Sequence, residues 1–336
     1  VARLSHFNHN STRLAYRKIC WRVIFTYFMS HKKPRSVEEQ IGILKQRGMT
    51  FRNEGSAHIL LKNVSYYRLK SYWWDMQQDK TEHIFYKGSC FEDVMARYLF
   101  DKELRLVLFD AIETIEIALR TKMIYYLSLS FGGLFYTDRS IFVDEDRHKK
   151  HLGELMKEFM RSCEIFAKDY KKKYGIWEKG EIVGLVQQLE AWIIFETATF
   201  GTLSKMYKNL QHQLPEKAKI AKDFNLNKHN ELASWLEAIS YLRNIVAHHS
   251  RIWSRNMVKR PMEIKKPIGK WLKGQLTEDA KKKPYLIITA MLYLCNAIGM
   301  GEKYKEKIVT LIKNNPQISI YKIGFPMDWF DEDIWK

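Results

Sequence analysis

From Phe91 to Leu129 the chain repeats apolar residues at helical spacing, and no other feature limits its possible folds as strongly. Leu104, Val107, Leu108, Ala111, Ile112, Ile115 and Leu119 recur at intervals that line one face of an α-helix. Glu113, Glu116 and Arg120 trace the other side, and Gly132-Gly133 breaks the run. One very long helix, or two in series, is expected here. Similar periodicity covers much of the rest, and the 336 residues include only seven prolines and sixteen glycines. An all-α chain follows. With 46% hydrophobic and 14% aromatic residues, it can bury a substantial core in one large domain or two ordinary ones.

Local signals place the other elements. Ser36 and Glu39 form a Ser-x-x-Glu capping box for a helix running from Val37 to Gly48, where glycine ends it. A second helix covers Glu54–Val64. Asp144–Tyr174 reads as one charged helix and Glu181–Thr199 as an amphipathic one, after which Thr202 or Ser204 can cap the next. A helix from about Asn230 to Arg255 precedes a lysine-rich connection, Pro261–Pro284. An apolar helix, Tyr285–Met300, and a basic one, Lys303–Asn314, follow. The acidic aromatic end, Asp328 to Asp333, is expected to dock on a basic surface of the same chain. The expected organisation is a basic extension (1–35), an N-terminal helical region (36–90), a helical core (91–257) and a basic C-terminal helical region (258–336).

A formal charge of +18, from 56 basic against 38 acidic residues, points to a polyanionic partner, nucleic acid first. Cys20, Cys90, Cys163 and Cys295 are scattered without metal-site spacing, which fits a reducing cytoplasm. No apolar run approaches the roughly 18 residues of a membrane helix, so no membrane association is expected. Residues 1–28 carry five Lys/Arg and no acid and are followed by Met29. The natural start is expected at Met29, with Val1–Phe28 read in frame upstream; a basic RNA-binding arm is the competing reading.

The segment Tyr241 to Trp253 is the most informative for chemistry. It sets Arg243, Asn244 and His248 in an Arg-x-x-x-x-His pattern within the expected helix. Arginine offers a permanent planar cation to phosphate oxygens, and histidine moves protons near neutral pH. Ser240, Asn244, His248, Arg251 and Arg255 step along one polar face. Leu232, Trp235, Ile239, Leu242, Val246, His249 and Trp253 step along the apolar side. His248 is thus the candidate for chemistry, and His249 is expected to be a packed, hydrogen-bonded core residue. Arg243 lies roughly 140° around from His248 on a regular helix, which favours a site assembled from more than one helix.

Other candidates are weighed similarly. Arg68 and Lys70 sit among Tyr66, Tyr67 and Tyr72; such tyrosines can stack bases, but half-buried packing is the better expectation. Lys171, Lys172, Lys173, Arg255, Lys259 and Arg260 complete the basic residues expected to meet RNA. His148 and His151, near Asp144 and Glu145, imitate metal-ligand spacing, although a solvated charged helix face is expected and no metal or cofactor is called for. Glu116 and Arg120 are spaced for an intrahelical ion pair.

The blocks Leu44-Lys45-Gln46-Arg47-Gly48, Tyr66-Tyr67-Arg68-Leu69, Ile115 to Arg120, Trp192 with Glu196, Phe200-Gly201-Thr202-Leu203-Ser204, Leu242-Arg243-Asn244 and Ala247-His248-His249 occur in an order that resembles the AbiD/AbiF-type abortive infection proteins of bacteria, within the HEPN superfamily. The resemblance runs from about Ser36 to Met257. It implies a HEPN-like helical bundle with additional N- and C-terminal helices, working as a homodimer or within a ribonucleoprotein. It also implies that Arg243, Asn244 and His248 form a metal-independent ribonuclease site, with two copies facing one another in a composite cleft. Glu116, Arg120, His249 and Arg251 would support that cleft, Arg120 from the helix packed against the motif. Some relatives are encoded beside a small structured RNA, which implies a toxin held in check by RNA. Two alternatives stay open: a non-catalytic RNA-binding scaffold of a defence system, and a partner that binds nucleotide or a nucleotidyltransferase.

Overall fold

The computed structural model describes residues 33–336. The expectations placed on residues 1–32, including the start at Met29, the basic arm and Cys20, lie outside the described residues. Among the described residues thirteen α-helices stand against two small antiparallel hairpins, so the fold is all-α. The chain divides into two compact units, one ending at Glu92 and one comprising Asp93–Lys336.

In the first unit, α1 (Val37–Gln46) begins with the expected capping box. Glu39 N–H donates to Ser36 Oγ at 3.2 Å and Ser36 N–H to Glu39 Oε2 at 2.7 Å. Gly48, at φ +92°, turns the chain out of it. Helix α2 (Glu54–Val64) is capped by the Asn53 side chain, and α3 (Tyr66–Trp73) follows after Ser65. A hairpin of β1 (Gln77–Asp79) and β2 (Ile84–Phe85) closes over the core, where Trp73 meets Tyr66, Phe85 and Phe91 edge-on or tilted. Tyr66 is half-buried as expected and Tyr72 is buried, but Tyr67 is 86% exposed.

The second unit is built along α4 (Phe91–Phe131), whose stripe from Leu104 to Leu119 is buried apart from a half-buried Val107. The expected charged helix is instead two, α5 (Glu145–Arg161) and α6 (Ile165–Tyr174), because Ser162 and Glu164 are extended. The break has its own cap: Lys171 Nζ donates to the carbonyls of Met160 and Ser162 at 3.1 and 2.7 Å. Lys171 is therefore committed to the fold, whereas Lys172 and Lys173 are exposed.

The expected helix at Glu181–Thr199 is a second correction. Strands β3 (Gly175–Glu178) and β4 (Glu181–Leu185) form a hairpin there, followed only by the short α7 (Ala191–Ile194). Lys179 and Gly180, at φ +49° and +83°, make a tight turn that reverses the chain before a helix can start.

Helix α8 (Phe200–Asn209) packs between α5 and α10 (His229–Ala247), and α9 (Pro215–Lys222) lies against α10. The cap of α8 is Thr199, not Thr202 or Ser204: Thr202 N–H donates to Thr199 Oγ1 at 3.3 Å. After the short α11 (Glu278–Lys281), the largely apolar α12 (Tyr285–Ala297) packs on α10 and on α13 (Gly301–Lys313). The acidic aromatic end does dock on a basic stretch of the chain. Trp335 is buried with its indole N–H on Tyr285 Oη at 3.1 Å, and Asp333 pairs with Lys273 at 2.9 Å.

Candidate active site

Helix α10 carries the motif. Leu232, Trp235, Ile239, Leu242 and Val246 are buried, while Asn244 and His248 are exposed on the opposite side. The helix stops at Ala247, short of the expected Arg255. His248 is its C-cap: His249 N–H bonds the Val246 carbonyl at 3.0 Å and Ser250 N–H that of Ile245 at 2.9 Å. These two bonds define a Schellman ending, which puts the next residue in the left-handed region. That residue is His249, at φ +54°. It is exposed, so the expectation of a packed core histidine is corrected: the helix ends before its apolar stripe reaches position 249.

Beyond the cap, the chain is pinned to α4. Asp101 is fully buried, and its Oδ1 accepts the N–H groups of Ile252 at 3.0 Å and Trp253 at 2.6 Å while its Oδ2 pairs with Arg105. The Arg97 guanidinium lies 4.7 Å above the Trp253 ring. Arg251 donates to the Trp253 carbonyl at 2.7 Å, and Arg255 to that of Arg251 at 3.0 Å. Both arginines thus brace the turn that follows His248. Lys259 pairs with Glu237, which also takes Lys208 at 2.6 Å; Arg260 is exposed.

Arg243 is half-buried, and its charge acts on Glu116 of α4. There Glu116 accepts from Arg120 Nη2 at 3.1 Å, and the same nitrogen donates to the Ala198 carbonyl at 3.0 Å. Glu196 stands 3.7 Å from the other Arg120 nitrogen. Burial raises the Glu116 carboxyl above its ordinary pKa, with Glu113 and Glu158 adding to the rise and the charges of Arg120 and Arg243 opposing it. Arg243 therefore shares an electrostatic neighbourhood with Glu116 and Arg120, drawn from α10 and α4. Asn244 and His248 stand apart from it on the exposed side of the helix end.

Sequence reasoning missed Glu158, which accepts from Thr199 Oγ1 at 2.9 Å and Thr202 Oγ1 at 2.8 Å and so fixes the start of α8 against α5. It also missed Asp101, although a lone acid in step with Leu104 and Leu108 on an apolar stripe is a readable signal. His148 and His151 are buried rather than solvated. His148 Nε2 bonds the Tyr136 carbonyl at 2.8 Å and the ring stacks on Phe142 at 4.1 Å. Among the described residues no cluster of His, Cys, Asp and Glu has metal-binding geometry, and no helix is long and apolar enough to cross a membrane.

Fold and site together define an all-α protein that exposes the asparagine and histidine of an Arg-x4-His element at the end of a packed helix. A family model described as Abi-like protein matches residues 59–254, more than half of the chain and inclusive of Glu116, Arg120 and the whole motif. The chain belongs to the Abi-like protein family, which ties it to abortive infection, a bacterial defence against phage. No curated protein and no solved structure matches it.

Proposed function

We propose that the protein is an abortive infection effector of the AbiD/AbiF type in the HEPN superfamily, which cuts RNA without a metal. The observation that carries this reading is the end of α10: the C-cap places His248 in solvent one turn after exposed Asn244. Substrate RNA can reach the imidazole without any rearrangement of the core.

In the reaction His248 takes the proton of a ribose 2′-hydroxyl, or returns one to the departing 5′-oxygen. The 2′-oxygen attacks the adjacent phosphorus as the bond to the 5′-oxygen breaks, leaving a 2′,3′-cyclic phosphate and a 5′-hydroxyl. Arg243 stabilises the added negative charge at phosphorus, and Asn244 orients the imidazole or bonds a phosphate oxygen. One motif per chain calls for a homodimer in a cytoplasmic setting, and a small structured RNA is proposed as the partner that restrains it. The half-burial of Arg243 and the action of its charge on Glu116 favour a second reading, in which the arginine holds structure in a non-catalytic RNA scaffold.

RNA cleavage in EDTA by protein freed of co-purifying RNA separates the two. The wild type is expected to leave cyclic phosphate ends, and His248→Ala to lose about 10²–10⁴-fold in rate, with Arg243→Ala similarly impaired. Wild type and variants that are equally inert would move the scaffold reading ahead.

A further inference from the structure

The first unit carries a surface outside the residues of the candidate active site. Two tryptophans follow one another at the end of α3: Trp73 is 1% exposed in the core, and Trp74 is 45% exposed. Lys70, one turn earlier, holds its ammonium 5.7 Å from the Trp74 ring centre, and Lys80, from the β1–β2 turn, holds its own at 5.8 Å. Neither lysine forms an ion pair among the described residues.

Lys80 also borders a shallow concavity of about 650 Å³, with Asp75, Gln77, Gln78, Asp79 and Tyr86. Tyr86 is 51% exposed. Gln77 is only 3% exposed, yet its amide oxygen has no hydrogen-bond partner, an unmet acceptor in the wall of the cavity. Asp79 spends one carboxylate oxygen on the N–H groups of Thr81 and Glu82, at 2.7 and 3.0 Å.

These groups match three properties of an unpaired nucleotide. Its base has a π face for the indole, its phosphates suit two ammonium groups that form no ion pair among the described residues, and its base edge carries N–H donors for the amide and carboxylate acceptors. A base inside a duplex offers no free face. The carboxylates at Asp75 and Asp79 repel a phosphate, which leaves the backbone on the lysine side and the base edge on theirs. We infer that this face binds a single-stranded stretch of RNA, with one base stacked on Trp74, its edge toward Gln77, and the flanking phosphates on Lys70 and Lys80. The choice of RNA over DNA rests on the function proposed above; the binding surface itself does not.

The test measures binding by the full chain carrying His248→Ala, which keeps RNA intact, to a labelled single strand of about 12 nucleotides. DNA of the same sequence and an RNA duplex are run alongside. Adding Trp74→Ala is expected to weaken single-strand RNA binding about tenfold, the loss of one stacked base. Trp74→Phe should retain most of it, and duplex binding should stay unchanged. Lys70→Gln with Lys80→Gln should flatten the slope of log affinity against log salt by about 1.4, for two lost phosphate contacts. Gln77→Leu should also weaken binding. Unchanged single-strand affinity in Trp74→Ala and the double lysine variant, with unchanged circular dichroism, would overturn the inference. So would a loss confined to DNA. Cleavage in EDTA by the wild type bears on the active site alone, so the two readings fail separately.

Discussion

Asp101 shows how one side chain sets the position of the motif. A carboxylate buried at 0% exposure is unfavourable unless its charge and lone pairs are met, and here a guanidinium and two backbone N–H groups meet them. Those N–H groups belong to Ile252 and Trp253, a few residues beyond His248, so the carboxylate fixes where the chain goes after the helix ends. Asp101→Ala leaves the Arg105 charge buried and two donors unmet. The expected cost is about 3–5 kcal/mol in urea unfolding, together with any activity that depends on the placement of His248. A loss below about 1 kcal/mol would mean that water or another group replaces the carboxylate. His249 illustrates the opposite case. Glycine is the usual occupant of a left-handed helix ending, and with histidine there the end of α10 had no marker in the sequence.

Among the elements, legibility followed the locality of the signal. Helix α1 was readable to within two residues because a capping box and a positive-φ glycine act over four or five positions, and α2 lies at its expected bounds behind the Asn53 cap. The long α4 was readable from its uninterrupted stripe. The β3–β4 hairpin was not, because Ile182, Val183 and Val186 also fit a helical face and only the Lys179-Gly180 turn decides between them. The burial of His148 was equally out of reach, since Tyr136 and Phe142 come from the loop before α5. Neighbouring elements also set a pH response. Burial lowers the His151 pKa below its ordinary 6.5; Glu154 opposes the shift, and Lys205, Lys150 and His148 reinforce it. As pH falls through about 6.5 the unfolded chain takes up this proton and the folded one resists, so stability drops with acidification. The thermal midpoint of the wild type should therefore fall more steeply between about pH 7 and pH 5.5 than that of His151→Leu. Parallel curves would exclude His151 as the titrating group.

For the whole molecule, the charge around Arg243 bears on how many chains make one site. Glu113, Glu116 and Glu158 all act on the neighbourhood that Arg243 shares, and Glu196 stands beside Arg120. An arginine whose charge already acts on a neighbouring Glu116 is a weaker anchor for a phosphate, even in a chain of net charge +18. On the proposed function, a second copy supplies what one lacks: two arginines and two histidines around a twofold axis, each chain offering the same patch. Co-expressing wild type with His248→Ala in equal amounts tests this arithmetic. If both histidines of a pair are needed, only wild-type pairs cut, and activity per total protein falls to about a quarter. If each chain carries a complete site, it falls to about a half. A value near one half, with dimers verified by sedimentation, would place the whole reaction on one α10.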